Sequence, residues 1–458
     1  MERWHLTLLL ATAAAIGAVV APTLTAPFRP LPPPVPSPLV IPEATPADGP
    51  LSIDVRLDRD AVPYGGDGLR YVVVTVTAPA KEGERRPVDI AVVVDTSGSM
   101  GREGKIEAAR AAADELVDAL REGDRFALVG FDDRARVLIE GARFDGDTAR
   151  LHRVIAGLRD DGGTNLWDGL DLGEDQLADT SGGAARKVLV VSDGQANVGE
   201  TSPDAFAKLA HTYASRGVSV SAIGLGRDFN ENLLESMADA GGGSYRFVGN
   251  PEELTTVIAA ELERTTQTLA RQARVKVRVA EGVRVREVYG WTAARVGDET
   301  EVYVGDISAG QTRKIVLAVD VPTGSLGEYA VARAELTWEP VDGGATQAVD
   351  AAARVTVTTD AAEVSASVDP AATVAATRAR AGVLSRASAD AWRDGDGARA
   401  RTMMRSAASV LEETLAEVDA PELRADRKTI DSIEALGYSE GASYAAKAAS
   451  EAGRDLSR

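Results

Sequence analysis

Apolar and polar residues follow three different periods along the chain, and each period predicts a different architecture. Between residues 88 and 268, short, mainly apolar runs such as Val88–Val94 are typical of buried strands in a parallel sheet. They alternate with stretches such as 105–120, whose apolar residues recur at the spacing of an amphipathic helix. Alternation of strand and helix predicts an α/β fold with a central, mainly parallel sheet and helices on both faces.

From about residue 269 to 360 the apolar residues recur at every second position, which is the period of a strand with one buried face. Short turns with Gly and Asp separate these segments, so we predict an antiparallel β-sandwich. Two more strands are predicted within 50–87, which implies one discontinuous sandwich with the α/β segment inserted. Residues 361–458 are rich in alanine and predicted to be helical, with a hairpin around Asp394–Gly397 and fraying over 439–458.

The N-terminal part of the chain has a different character. Residues 1–26 contain an apolar stretch, Leu6–Ala21, with the length of the hydrophobic part of a secretion signal. Proline follows both candidate cleavage positions, Ala21 and Ala26, so we favour an uncleaved membrane anchor over a removed signal peptide. Residues 27–49 are rich in proline, which is typical of an extended polyproline II stalk or, equally, of a disordered linker.

Composition then excludes several classes of function. The formal net charge of −20 opposes nucleic-acid binding, which needs a basic surface to contact phosphates. The chain has no cysteine, which excludes disulfides, thiol catalysis and a lipidated cysteine. It lacks the H-E-x-x-H motif of one class of zinc protease, a Walker loop and a G-x-S-x-G nucleophile elbow. We therefore predict that the protein is not an enzyme.

Oxygen-bearing side chains follow two of the predicted buried strands. Asp95 ends the first strand, and Ser97 and Ser99 follow it in a tight loop. Asp193 directly follows a second buried strand, and Thr164 lies between the two in the segment GGTNLWDGL. Ligands bind at the carboxyl ends of strands in open α/β sheets, and carboxylate and hydroxyl oxygens suit a hard cation such as Mg²⁺. The sequence therefore predicts a metal site at this edge.

Other acidic and hydroxyl residues have simpler structural explanations. Taken alone, Ser97 and Ser99 could equally cap the helix that follows them. Asp132 and Asp133 also follow a strand, and we interpret them as a polar turn rather than as ligands. We expect Asp168 to help start a helix, because a negative charge is favourable in the first turn.

The three loops, in this order, resemble the metal-ion-dependent adhesion site of von Willebrand factor type A domains. The resemblance implies a Rossmann-like fold for residues 88–268. It also implies that Ser97, Ser99 and Thr164 contact the metal directly, while the two aspartates act partly through water. It favours Mg²⁺, although oxygen ligands also accept Mn²⁺ or Ca²⁺.

The resemblance implies a metal-dependent protein–protein interaction module of the bacterial cell envelope, whose cation binds an Asp or Glu carboxylate of a protein partner. The alternative is a structural envelope scaffold in which the metal only stabilises the loops. The whole chain resembles exported bacterial proteins often labelled calcium-activated chloride channel homologues, but a single segment of spanning length gives no pore. We expect a periplasmic or extracellular location, with membrane contact only through the N-terminal segment.

Overall fold

The computed structural model describes residues 49–80, 85–177, 184–226, 229–341, 343–439 and 441–458. The predicted signal peptide or anchor, 1–26, lies outside these residues, as does the proline-rich linker apart from Gly49. Within the described ranges, no helix is both long enough and apolar enough to cross a membrane.

The strands of the described residues are, in chain order, β1 (Ser52–Leu57), β2 (Ala61–Pro63), β3 (Leu69–Thr77), β4 (Val88–Asp95), β5 (Arg125–Phe131), β6 (Ala135–Arg143), β7 (Ala185–Ser192), β8 (Val218–Leu225), β9 (Gly242–Val248), β10 (Thr268–Val279), β11 (Arg284–Tyr289), β12 (Ala293–Val296), β13 (Glu299–Ser308), β14 (Thr312–Asp320), β15 (Gly327–Pro340) and β16 (Gln347–Thr358). The α-helices are α1 (Lys105–Asp118), α2 (Thr148–Ile155), α3 (Leu166–Asp175), α4 (Pro203–Ser215), α5 (Glu231–Ala240), α6 (Leu254–Thr266), α7 (Ala361–Ala366), α8 (Pro370–Arg393), α9 (Gly397–Leu415), α10 (Pro421–Ser439) and α11 (Ala442–Ser457).

Strands β4 to β9 form the sheet of an α/β domain, in the order β6-β5-β4-β7-β8-β9. All neighbours in this sheet are parallel except β6, which lies antiparallel to β5 at one edge. Helices α1, α2 and α6 cover one face, and α3, α4 and α5 cover the other. Every residue of β4 is buried, because the strand lies between two parallel neighbours and two helical layers. The predicted α/β fold with a mainly parallel sheet is confirmed.

The other strands form two sheets that share one core. The first sheet has the order β1-β3-β14-β11 and the second β12-β13-β10-β15-β16-β2. Val74 and Leu317 of the first sheet are buried together with Val275, Leu336 and Trp338 of the second. Among the described strands of the two sheets, β2 departs from the predicted antiparallel arrangement, because it pairs with β16 in parallel.

The α/β domain is an insertion in this sandwich, as the sequence predicts. Strands β1 to β3 precede the domain along the chain, yet β3 pairs with β14 and β2 with β16, which follow it. The chain enters the domain and leaves it at neighbouring points, where the Arg86 N–H donates a hydrogen bond of 3.1 Å to the carbonyl of Thr266. Both connections therefore lie at the end of the sheet opposite Asp95.

The C-terminal helices cover the outer face of the first sandwich sheet. Val72 and Val74 of β3 point into the sandwich core, whereas Val73 packs against Ala375 and Ala379 of α8. This explains the continuous apolar run in β3, because both faces of the strand are buried.

Helix α11 corrects the prediction that residues 439–458 fray. It is helical to Ser457 and crosses α8 where Gly382 meets Gly453. A Cβ on Gly382 would lie 2.6 Å from the Gly453 carbonyl oxygen. The two backbones are therefore so close that only glycine fits at this crossing. This contact could not be predicted from the sequence, because α8 and α11 are separated by two other helices along the chain.

Glu451 of α11 lies against β9 of the α/β domain. It accepts a hydrogen bond of 3.4 Å from the Phe247 N–H and lies 3.9 Å from the Arg246 guanidinium. Burial, reinforced by the charge of Asp455, raises the pKa of Glu451 from 4.5 to about 7. The folded chain therefore binds a proton at a pH where the unfolded chain has released it.

We expect this proton to make stability depend on pH. The contribution of Glu451 is complete below the unfolded pKa of 4.5 and is lost as the pH rises through the folded value of about 7. Glu451→Gln should melt at a higher temperature than the wild type at pH 8 and at nearly the same temperature at pH 4.5. Thermal unfolding at both pH values measures this, with Glu413→Gln on the exposed face of α9 as control. The same shift at both pH values would contradict the assignment.

Candidate metal centre

Two aspartates lie side by side at the carboxyl edge of the α/β sheet. Asp95 is the last residue of β4, and Asp193 directly follows β7, which pairs in parallel with β4. The carboxyl ends of adjacent parallel strands meet at one edge of a sheet, and this is why residues so far apart along the chain become neighbours. Both carboxylates are fully buried.

The loop after β4 brings two hydroxyl groups to Asp193. Ser97 Oγ lies 2.9 Å from Ser99 Oγ, and Ser99 Oγ donates a hydrogen bond of 2.7 Å to Asp193 Oδ1. The side chain of Ser97 makes no capping hydrogen bond to the short 3-10 helix Gly98–Gly101, and α1 begins only after Gly104. Neither serine therefore caps α1, and Ser97 does not cap the 3-10 helix.

Thr164 reaches the same place from a third loop, ahead of α3. Its backbone N–H donates a hydrogen bond of 2.9 Å to Asn197 Oδ1, which ties this loop to the loop after β7. The point where Gly194 would carry a Cβ lies 3.1 Å from Thr164 Oγ1 and 3.5 Å from Asp95 Oδ2. The same point lies 3.6 Å from Ser99 Oγ. Oxygens from two loops thus surround one small volume beside Gly194 of the loop after β7, and the absence of a side chain at Gly194 leaves this volume open. Asp193, in the same loop as Gly194, adjoins these oxygens through its contact with Ser99.

Hydrogen bonds fix the orientation of the Asp95 carboxylate. The Ser97 N–H donates to Oδ1 at 2.8 Å, and Ser192 Oγ donates to Oδ2 at 2.6 Å. Burial raises the pKa of Asp95 to about 6, although the hydrogen bonds from Ser192 and Ser97 act in the opposite direction. A cation beside this carboxylate would favour its ionised form.

The donor set fits a hard divalent cation. Two carboxylates and three hydroxyl groups offer only oxygen, which Mg²⁺, Mn²⁺ and Ca²⁺ accept. Within the described ranges, no cluster of three or more His, Asp or Glu side chains could hold a metal ion. A cation at this edge would therefore depend on the serine and threonine hydroxyls as well as on the two aspartates.

Two side chains of the centre were not among the predicted site residues. Ser192 is the last residue of β7 and holds Asp95, as described above. Lys105 is the first residue of α1, and its Nζ donates a hydrogen bond of 2.8 Å to Asp193 Oδ2. A lysine at the first position of a helix could have indicated a nearby negative partner from the sequence alone, because the helix dipole disfavours a positive charge there.

Asp132 and Asp133 lie in the turn after β5, and Asp168 lies at the start of a helix, as the sequence predicts. Asp132 pairs with Arg136 at 2.6 Å, and Asp133 Oδ1 accepts a hydrogen bond of 2.9 Å from the Gly163 N–H. Asp168 lies in the first turn of α3 and accepts a hydrogen bond of 2.8 Å from Asn165 Nδ2. These contacts support the loop that carries Thr164.

The family model for the von Willebrand factor type A domain matches residues 89–260. Uncharacterized protein sll0103 of Synechocystis sp. is 26% identical over 288 residues, which cover 60% of this chain and 68% of that protein. Uncharacterized protein YfbK of Escherichia coli is 26% identical over 240 residues, which cover 51% of this chain and 41% of that protein. Inter-alpha-trypsin inhibitor heavy chain H4 of Homo sapiens is 30% identical over 204 residues, which cover 42% of this chain and 22% of that protein. The chain thus spans less than half of the last two relatives.

Two solved structures share the fold over most of the chain. The von Willebrand factor type A structure from Catenulispora acidiphila has a TM-score of 0.66 at 19% identity, covering 85% of this chain and 91% of that one. The ArnB paralog VWA2 from Sulfolobus acidocaldarius has a TM-score of 0.57 at 17% identity, covering 90% of this chain and 100% of that one. The likeness therefore extends beyond residues 89–260, into the sandwich and the helices.

Proposed function

We propose, from the premise that residues 89–260 form a von Willebrand factor type A domain, that this domain is a metal-dependent protein-interaction module of the bacterial cell envelope. A divalent cation, with Mg²⁺ as the first choice, would bind an Asp or Glu carboxylate of a protein partner. The proposed metal ligands are Asp95, Ser97, Ser99, Thr164 and Asp193. The observation that carries the proposal is the convergence of three loops at the sheet edge, where oxygens of Asp95, Ser99 and Thr164 surround one volume beside Gly194 and Asp193 contacts Ser99.

The chain's own residues hold the ligand groups ready. Two hydrogen bonds orient Asp95, and Ser99 and Lys105 occupy the two oxygens of Asp193. When bound, the cation supplies positive charge for an anionic oxygen. Ser99 and Gly194 are the partly exposed members of the centre, so a partner would approach from their side.

An extracellular or periplasmic location is part of the same proposal. The apolar stretch Leu6–Ala21 supports export, with the stretch retained as an anchor or removed as a signal peptide. The proposal assigns no catalytic step to the centre.

Capture of a partner from envelope extract tests the function. The purified chain is immobilised in Mg²⁺, in EDTA, and as Asp95→Asn in Mg²⁺, because asparagine keeps the size of the side chain but removes its charge. Asp161→Asn is the matched control, since this aspartate is exposed in the loop that carries Thr164 and its Oδ1 accepts a hydrogen bond from the Gly162 N–H. We expect one partner that is captured by the wild type and the control in Mg²⁺ and lost in the other two samples.

Equal capture in all samples would overturn the proposal. It would favour the alternative of a structural scaffold, whose contacts lie on the sandwich and the C-terminal helices. Thermal unfolding with and without Mg²⁺ adds a readout that needs no partner. A cation that binds only the folded chain raises its melting temperature, and Asp95→Asn should abolish that increase.

A further inference from the structure

We propose that Lys105 sets the charge of the candidate metal centre, so that a bound cation keeps enough positive charge to accept a partner's carboxylate. This inference rests on the proposed function and assigns a positioning and charge-setting role to a residue outside the ligand set. Lys105 lies in the loop-to-helix segment after the serines, at the first position of α1.

The side chain of Lys105 is held by contacts with the loop after β7, with Glu103 and with the end of β8. It is 3% exposed, and its Nζ lies 2.8 Å from Asp193 Oδ2, which is itself fully buried. The exposed carboxylate of Glu103 lies 3.9 Å from Nζ on the solvent side. At the end of β8, a Cβ on Gly226 would lie 2.8 Å from Lys105 Cε, so glycine makes room for the lysine stem.

A buried ammonium is a costly way to hold an aspartate at this position. Taking the charge out of water is unfavourable, and the positive end of the α1 dipole adds to the cost. A neutral donor would orient the carboxylate equally well, as Ser192 does for Asp95 in the neighbouring strand. The positive charge itself is therefore the property that distinguishes Lys105.

The contacts also divide the two oxygens of Asp193. Oδ2 accepts the hydrogen bond from Lys105, while Oδ1 accepts the hydrogen bond from Ser99. Asp193 can therefore offer one oxygen to the centre, and Lys105 keeps the other turned away. Lys105 therefore balances one of the two carboxylate charges of the centre before any cation binds.

A charge count gives the direction of the effect. Among the buried side chains, Asp95 and Asp193 contribute two negative charges and Lys105 one positive charge, so the buried centre carries a net charge of minus one. Glu103 is left out of this count because it is exposed, and water and salt screen its charge. A divalent cation raises that total to plus one. Without Lys105 the total would be zero, and an incoming carboxylate would meet no net positive charge. Lys105 thus weakens the binding of the cation and strengthens the binding of the anion.

Lys105→Gln tests this because glutamine can still donate a hydrogen bond to Asp193 but carries no charge. Titration with Mn²⁺ alone should show about tenfold or more tighter binding than in the wild type, since a unit charge so close to a ligand oxygen is worth at least that factor. Lys105→Arg, which keeps the charge, should stay close to the wild type. Lys105→Met is a second neutral variant, and circular dichroism establishes that each variant is folded.

Acetate supplies the second readout, at constant ionic strength with chloride as the reference salt. It should increase the apparent Mn²⁺ affinity of the wild type and leave that of Lys105→Gln unchanged. If Lys105 only positioned Asp193, both neutral variants would bind Mn²⁺ equally well or more weakly, and this result would overturn the inference.

The two proposals fail in different ways. Mn²⁺ binding by Lys105→Gln but not by the wild type would support the role of Lys105 and reject native metal dependence. Binding to none of the folded variants would overturn both proposals.

Discussion

Glu261→Ala is expected to lower the free energy of unfolding by about 3–5 kcal/mol, the effect of leaving a buried charge without its partner. Glu261 of α6 is 2% exposed, and its Oε1 accepts a hydrogen bond of 2.6 Å from Lys187 Nζ in the middle of the α/β sheet. Its Oε2 accepts a hydrogen bond of 2.8 Å from Ser244 Oγ and also pairs with Arg264. The alanine variant would leave the Lys187 ammonium buried beneath α6.

The charge state of Glu261 supports this expectation. Burial alone would raise the pKa of Glu261, but Lys187 and Arg264 outweigh it and hold the pKa well below its usual range. The group is therefore ionised in the folded chain at every physiological pH. Because the folded pKa is depressed, its contribution is present above the unfolded pKa of 4.5 and is lost as the pH falls through the folded value.

Urea unfolding of Glu261→Ala and of Glu263→Ala measures the difference. Glu263 lies exposed on the same helix, so its replacement should change stability by less than about 0.5 kcal/mol. The double variant Glu261→Ala with Lys187→Met should recover much of the loss, because it removes both charges together. Similar free energies of unfolding for Glu261→Ala and Glu263→Ala would show that the buried pair of Glu261 and Lys187 contributes nothing to stability.

Asp239→Ala should have an effect of similar size, about 3–5 kcal/mol, at the junction of α5 with the C-terminal helix. Asp239 accepts hydrogen bonds of 2.7 Å and 2.6 Å from the two terminal nitrogens of Arg458. Arg454 pairs with the same carboxylate at 2.6 Å. Burial would raise the pKa of Asp239, but the guanidinium groups of Arg458 and Arg454 outweigh it and hold the pKa below its usual range. The variant leaves two nearly buried guanidinium groups without their shared anion.

Loss of α11 from the α/β domain is the specific consequence of Asp239→Ala. We expect limited proteolysis to cut α11 at a lower urea concentration than in the wild type, ahead of cuts in the sheet. Asp455→Ala is the matched control, because Asp455 lies in the same interface but is exposed. Its ion pair with Arg246, at 3.4 Å, is longer than the contacts of Asp239 with the two arginines. Cutting of both variants at the same urea concentration would assign the effect to the helix surface in general rather than to the paired arginines.

The periodicity of apolar residues predicted the α/β fold, the sandwich and the insertion, because each depends on which faces of a strand or helix are buried. The strand β4 is an example, since its apolar run from Ile90 to Val94 is buried on both faces only between two neighbouring strands and two helical layers. The candidate centre was predictable for a related reason. Asp95 and Asp193 end adjacent parallel strands, so the topology alone brings them together.

Contacts between distant polar side chains could not be predicted in this way. The pairing of Lys187 with Glu261 depends on the register of α6 on the sheet. Lys187 follows Arg186 at the start of a strand that is mainly apolar, and the sequence gives no indication of its partner. The contact of Lys105 with Asp193 depends likewise on where α1 begins. Pairwise charge contacts of this kind carry no periodic signal, and neither does the close crossing of Gly382 and Gly453.

The position of the inserted domain also determines how it would bear a mechanical load. The chain enters and leaves the domain at one end, where Arg86 is hydrogen-bonded to Thr266, and the candidate centre lies at the other. A partner pulling on that centre would load β4 along its length. The hydrogen bonds that β4 shares with β5 and β7 would then be stressed together in shear rather than opened one after another. The tension would pass into the sandwich through two neighbouring connections, which divide it between them.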